Sequence, residues 1–191
     1  MKKNERELLD LINLCKRNDS MAQKELFNCY KNQMFALCLR YSNSSSEAED
    51  MLMQGWLRVF SKIGYFEVTN EFKNYHFESW LQKVIINNAI NTYRLNKKYN
   101  SLIEFEEVVE KKDFELFESE YTFSEEELLS CVQSLPNALR VVFNLCAIDQ
   151  YSNKDISEIL NMSQNSVKSN LYKARQLLKK KLEQIEKSKN E

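Results

Sequence analysis

The sequence predicts an all-α chain: two small helical domains joined by an acidic linker, the C-terminal one a four-helix domain with a helix-turn-helix. Three observations predict it. Two Gly and one Pro stand among 191 residues, and long strings of Leu, Lys, Glu and Asn punctuate poorly as strands. Apolar residues recur at helical steps of three and four through most of the chain. Charge is segregated: Glu104 to Glu127 holds eleven acids and two lysines, whereas Ser79 to Ile103 holds four basic residues and no acid. The expected division is 1–100, a linker over 101–123, and 124–191.

Asn4 to Lys16 predicts a first helix, carrying Leu8, Leu9, Leu11, Ile12 and Leu14. A second runs from about Ala22 to Tyr41, with Leu26, Tyr30, Met34, Leu37, Cys38 and Tyr41 at helical spacing. After a serine-rich break, Ser46 and Glu49 have capping-box spacing. The helix they open reaches about Ile63 and has Ala48, Leu52, Gly55, Trp56, Val59 and Ile63 on its core face. Asp50, Met53, Gln54, Leu57, Arg58 and Ser61 share the opposite side. Apolar residues ringed by polar ones suit a protein contact surface. A helix buried on both sides is the alternative.

Gly64 to Phe77 breaks the helical pattern and is dense in aromatics. Such a loop either packs on its own domain or offers stacking platforms to unpaired bases. A long helix follows from Glu78 to Lys98, with Phe77, Leu81, Val84, Ile85 and Leu95 on its main buried side. His76, Lys83, Asn87, Asn91, Arg94 and Lys98 form a polar stripe, with Trp80 on the same line. Amides and cations without a carboxylate suit a DNA backbone and its bases. A snorkelling edge on a core helix is the plainer reading.

Glu104 to Phe123 has weak periodicity and reads as a flexible or partly helical tether. Ser124 and Glu127 form another capping box, opening a helix with Leu128, Leu129 and Val132. Pro136 fits the first turn of the next, which carries Leu139, Val142, Phe143 and Cys146.

Ser152 to Leu182 reads as two helices and a tight turn. Ser152 and Asp155 have capping-box spacing, and Ile156, Ile159 and Leu160 give the short helix one apolar face. Asn161 sits where the chain must turn, because Asn tolerates a left-handed backbone. Ser163 is placed to cap the second helix, whose apolar face is Val167, Leu171, Ala174, Leu178 and Leu182. From Ser163 to Leu182 there are six basic residues and no acid. Gln164, Asn165, Ser166, Lys168, Ser169, Asn170, Tyr172, Lys173 and Arg175 supply donors, acceptors and cations near its start. A helix-turn-helix needs this: one helix braces on the backbone while the next enters the major groove.

Other classes are disfavoured. The net charge of −1 says nothing of nucleic acid; only its distribution does. The five cysteines form no C-x-x-C pair and are expected as buried, reduced thiols, and one histidine argues against a zinc or histidine-based catalytic site. No catalytic residue, metal, cofactor or small-molecule substrate is expected. There is no membrane-length apolar run and no signal-peptide pattern, so a cytoplasmic location is expected.

The order of parts from about Asn18 to Glu183 resembles the sigma-70 family of bacterial RNA polymerase initiation factors, specifically its extracytoplasmic-function (ECF) group. The segment AEDMLMQGWLRVF (Ala48 to Phe60) is similar to the helix that holds the polymerase clamp. The resemblance implies core polymerase contacts at Asp50, Met53, Gln54, Leu57 and Arg58, although Met53-Gln54 replaces the family's usual Gln-Glu pair. ESWLQKVIINNAINTYRLNKK (Glu78 to Lys98) is similar to the −10 recognition helix, with Asn91 where Asp is common. It implies −10 contacts at Trp80, Lys83, Asn87, Asn91, Arg94 and Lys98, and capture of a flipped base in the preceding loop, where Asn70 and Phe72 are candidates. SLPNALRVVFNL and DISEILNMSQNSVKSNLYKAR match the −35 domain, with Asn161 for a frequent Gly and Asn170 for a frequent Arg. The resemblance further implies core RNA polymerase (the clamp of its largest subunit and the flap), promoter DNA and an anti-sigma factor as partners. The alternative is a stand-alone dimeric helix-turn-helix regulator.

Overall fold

The computed structural model describes residues 4–68, 74–99 and 122–189, with the side chains of 74, 75 and 96–99 outside that description. The described residues form eight α-helices and no strand. They are α1 (Glu5–Lys16), α2 (Ser20–Tyr41), α3 (Ser45–Lys62), α4 (Asn74–Tyr99), α5 (Glu125–Gln133), α6 (Asn137–Phe143), α7 (Asn153–Leu160) and α8 (Gln164–Lys189). None is long and apolar enough to cross a membrane. The chain divides into two compact units, Met1–Thr92 and Tyr93–Glu191. The expected linker lies outside the described residues except for Thr122 and Phe123.

In the first unit, α1 starts on a reciprocal cap. Glu7 N donates to Asn4 Oδ1 at 2.9 Å, and Asn4 N donates to Glu7 Oε2 at 3.0 Å. Asn18 turns the chain with φ of 61°, and Asp19 caps α2 by accepting from Ala22 N at 2.8 Å. Such caps contribute about 1 kcal/mol each. The core joins Leu8, Ile12 and Cys15 of α1, Leu26, Met34 and Cys38 of α2, Ala48, Leu52, Trp56 and Val59 of α3, and Phe77, Leu81, Ile85 and Ile90 of α4, all buried. Trp56 lies edge-on to Phe27, with ring centroids 5.3 Å apart.

Four expectations need correction here. The cap of α3 is Ser44, not Ser46: Glu47 N donates to Ser44 Oγ at 3.2 Å, while Glu47 Oε2 accepts from Asn43 N at 2.7 Å. α4 begins at Asn74 rather than Glu78, so Tyr75 to Phe77 are helical and not loop. Leu95 is 60% exposed, whereas Tyr93, two residues earlier, is buried. Cys29 is exposed and Cys146 half-buried; only Cys15, Cys38 and Cys131 are buried. Cys29 precedes buried Tyr30 by one residue, about 100° around α2 from the core face.

In the second unit, α5 carries the expected capping box: Ser124 N donates to Glu127 Oε2 at 2.8 Å, and Glu127 N to Ser124 Oγ at 3.2 Å. Cys131 and Leu135 pack with Ala174 and Leu178 of α8, flanked by Val132, Leu139, Phe143, Leu182 and Ile185. Pro136 occupies the N-cap of α6, one position before the expected first turn. The buried face of α6 and the following π-helical turn (Asn144–Ile148) is Val141, Val142 and Leu145; Leu139, Phe143 and Cys146 are only half-buried. Arg140 is fully buried, its Nη1 donating to the Gln133 carbonyl at 2.7 Å.

α7 and α8 form the helix-turn-helix. Asp155 N donates to Ser152 Oγ at 3.1 Å, and Ser152 N to Asp155 Oδ2 at 3.3 Å. Asn161 is left-handed (φ 50°, ψ 57°), which lets Met162 N donate back to the Ser157 carbonyl at 3.1 Å. Ser163 Oγ then accepts from Ser166 N at 3.0 Å to start α8. Ile156 and Leu160 are buried, as are Val167, Leu171, Ala174 and Leu178 of α8.

Candidate protein and nucleic-acid interfaces

The core side of α3 is continuous: Ala48, Met51, Leu52, Gly55, Trp56 and Val59 are buried. All five predicted polymerase contacts fall on the other side, where Asp50, Gln54 and Arg58 are exposed, Met53 is 57% exposed and Leu57 72%. The alternative of a helix buried on both sides is thereby removed. Met53 and Leu57 sit one turn apart, an apolar pair framed by an acid, an amide and a guanidinium. Such a patch gains by being covered: burial of apolar area is worth roughly 25 cal/mol per Å².

α3 packs on α4 at Gly55. A Cβ built on Gly55 would lie 2.5 Å from Ile85 Cδ1 and 3.9 Å from Asn88 Nδ2. Glycine inside a helix costs about 1 kcal/mol relative to alanine, so a helix that keeps one here does so for close approach. Asn88 is fully buried, and its Nδ2 donates to the Met51 carbonyl at 3.1 Å. Sequence reading left it off the polar stripe but gave it no role, because its partner, the Met51 carbonyl, lies 37 residues away on another helix.

On α4, Lys83, Asn87 and Arg94 are exposed and Asn91 half-buried. Trp80 is half-buried rather than presented freely. Its ring centroid is 5.2 Å from Phe66 and 5.6 Å from Phe77. Lys98 belongs to α4, but its side chain lies outside the described residues, as do Asn70 and Phe72. The aromatic stretch splits in two: Phe66 and Phe77 are core, whereas Tyr65 is 85% exposed. Lys16 Nζ of α1 donates to the Phe66 carbonyl at 2.7 Å.

The start of α8 gathers the third set. Gln164, Asn165 and Lys168 are exposed; Ser166, Ser169, Asn170, Tyr172, Lys173 and Arg175 are half-buried. Ser166 is partly committed to the helix start, its Oγ 2.8 Å from Ser163 Oγ. The first turn holds no acid, so the helix dipole and the lysines add with one sign toward an anion. Among the described residues no group of His, Cys, Asp and Glu could hold a metal ion.

A model described as Sigma-70 region 2 matches residues 26–99, and one described as Sigma-70, region 4 matches residues 125–178. The ECF RNA polymerase sigma factor SigW of Bacillus subtilis (strain 168) is 27% identical over 186 residues, covering 91% of this chain and 96% of that protein. The RNA polymerase sigma-H factor of Pseudomonas aeruginosa is 22% identical over 189 residues, covering 92% and 93%. Among solved structures, the sigma factor RpoE in complex with the anti-sigma factor NepR from Bartonella quintana aligns with a TM-score of 0.47 at 17% identity, over 93% of this chain and 95% of that one. Two models from one family fall on the two halves in the order the sequence predicts, with an ECF factor aligned across nearly the whole length: the chain belongs to the sigma-70 family of RNA polymerase sigma factors, in its ECF group.

Proposed function

We propose that this chain directs core RNA polymerase to promoters and assists DNA opening, with residues 1–100 serving polymerase and the −10 element and residues 124–191 the −35 element, across the linker 101–123. The observation that carries the assignment of roles is the exposed pair Met53 and Leu57 on a helix whose other side is core. The patch calls for a protein partner, and the match of residues 26–99 to Sigma-70 region 2 supports polymerase as that partner over a second copy of the chain.

In this reading Asp50, Met53, Gln54, Leu57 and Arg58 hold the polymerase clamp. Lys83, Asn87, Asn91, Arg94 and Lys98, with Trp80 and the loop residues Asn70 and Phe72, serve the −10 element. Opening a duplex costs a few kcal/mol per unstacked base, which stacking on protein and capture in a pocket offset. The start of α8 docks the −35 element: Lys168, Lys173 and Arg175 on phosphates, Gln164, Asn165, Ser166, Ser169, Asn170 and Tyr172 toward bases or backbone. The polymerase performs the bond-forming step, and no step here calls for covalent chemistry by this chain. The same reading places the protein in the cytoplasm, brings the flap of polymerase to the C-terminal domain, and adds an anti-sigma factor that withholds it from polymerase.

Run-off transcription with purified core polymerase on genomic fragments tests the proposal. Transcripts should appear only when both components are present. Tight binding of the free chain to a palindrome, with no effect on polymerase, would favour the dimeric regulator instead.

A further inference from the structure

We propose that Asn88 and Gly55 act together as a positioning lock that holds the DNA-reading helix α4 in one register on the polymerase-binding helix α3; this rests on the function proposed above. The contact is specific. Asn88 is fully buried, and its Nδ2 reaches across 37 residues of sequence to the Met51 carbonyl at 3.1 Å. Its Oδ1 is buried and has no hydrogen-bond partner among the described residues. An amide so placed is a poor choice for stability alone, since an apolar side chain of similar size would leave no polar atom orphaned. A single buried polar group has a known use in fixing register, because a helix that slides leaves that group wholly unpaired.

Gly55 leaves room for Ile85 beside that bond: with a Cβ there, the Ile85 Cδ1 methyl 2.5 Å away would have to move, while Asn88 Nδ2, at 3.9 Å, would stay at ordinary contact distance. The geometry ties the two working surfaces through adjacent residues. Asn88 points inward while its neighbour Asn87 is exposed on the cationic stripe. Met51 accepts inward while Met53 and Gln54, two and three residues on, are exposed on the apolar patch. A rigid hydrogen bond between Asn88 and Met51 therefore fixes where Asn87 and Lys83 stand when Met53 and Leu57 are held by polymerase. Asn88 contacts neither DNA nor polymerase in this account and works by positioning.

The test uses the full chain with core polymerase on a promoter that the wild type transcribes. It compares the intact duplex with the same promoter opened in advance by mismatches. Asn88→Leu removes the bond with a side chain of the same branching, though a bulkier one. Gly55→Ala keeps the amide but displaces Ile85, and it decides the matter should the first variant not fold. For either variant, polymerase affinity should stay within about twofold, because the exposed face of α3 is untouched. Transcription from duplex should fall about tenfold, the scale expected when a reading surface is misplaced by a fraction of an ångström. Transcription from the opened template should stay within about threefold of wild type, since melting is then supplied. Equal losses on both templates, tracking loss of thermal stability, would reduce the pair to ordinary packing and overturn the lock. Unchanged duplex transcription would overturn it too. A wild-type chain that starts no transcript sinks the functional reading instead, a result visible before any variant is measured.

Discussion

Lys189, at the last turn of α8, closes on Glu127, in the first turn of α5: Nζ and Oε2 are 2.8 Å apart. The same ammonium lies 3.4 Å from the Thr122 carbonyl and 5.3 Å from the Phe123 ring centroid. Glu127 also accepts from Ser124 N, so one carboxylate serves a helix cap and a long-range ion pair. The hydrogen bond from Lys189, then that from Ser124, hold its carboxyl below the ordinary value of 4.5. A lowered carboxylate pKa means stability present above the unfolded-state value and lost as pH falls through the folded one. Stability should therefore be flat near neutrality and decline below about pH 4.5. Glu127→Gln should flatten that acid limb, and Lys189→Ala should flatten it less, because the Ser124 bond survives. Denaturant midpoints at pH 7 and pH 4 measure both.

The outward face of α3 should separate binding from folding. Leu57→Glu changes a residue that is 72% exposed, so thermal stability should move by no more than about 0.5 kcal/mol. Affinity for core polymerase should fall at least about tenfold, the effect of one central apolar contact. Trp56→Ala, one residue earlier on the buried side, should cost roughly 3–5 kcal/mol of stability. A pull-down paired with a melting curve distinguishes the two, and equal behaviour of both variants would contradict the assigned faces.

The caps show how far the chain could be read in advance and where reading failed. Ser124/Glu127 and Ser152/Asp155 were legible because each pair stands directly before the apolar run it opens, at Leu128 and Ile156. Ser44/Glu47 was not, since Ser42, Ser44, Ser45 and Ser46 lie together and Ser46/Glu49 has identical spacing. The outward face of α3 followed from periodicity, because a 3.6-residue repeat fixes opposite sides once Trp56 and Val59 are taken as core. Leu95 misled because its angle on α4 matches the core face, yet its side chain is 60% exposed; angle alone does not say where along a helix the packing stops. Periodicity puts Asn88 on the buried side of α4, but no local signal says what its amide meets there. What marks it is the approach of α3 at Gly55, a contact across 37 residues.

Salt dependence should sort the α8 residues. If the C-terminal domain neutralises about four phosphates, log affinity should fall against log salt with a slope of roughly −3.6. Lys173→Ala or Arg175→Ala should weaken binding to all sequences and reduce the slope by about 1. Asn165→Ala, exposed at the start of α8, should leave the slope alone and relax sequence preference. Ser166→Ala is a mixed case, because its hydroxyl lies 2.8 Å from the capping Ser163; helix stability should drop alongside preference. Titrations at several salt concentrations on two promoter sequences give both readouts. An unchanged slope for the Lys173 and Arg175 variants would remove them from the phosphate set.

The thiols give a check on the packing itself. Burial pushes Cys15 up to about 11 and Cys38 up to about 12, the carboxylates of Asp19 and Glu25 adding to the first. Both are well above the ordinary thiol value of 9.0, so neither is a thiolate at neutral pH. Cys29 is exposed on α2 and should react first with a disulfide reagent, followed by half-buried Cys146. Cys15, Cys38 and Cys131 should react only as fast as the chain opens. A thiol whose folded pKa is raised contributes stability that is complete below the unfolded value and lost as pH rises through the folded one. The denaturant midpoint should therefore begin to drop above about pH 9 and keep dropping toward pH 11. Cys38→Ala should shrink that alkaline loss. An alkaline loss as large in Cys38→Ala as in the wild type would mean that α2 does not bury the face on which Cys38 sits.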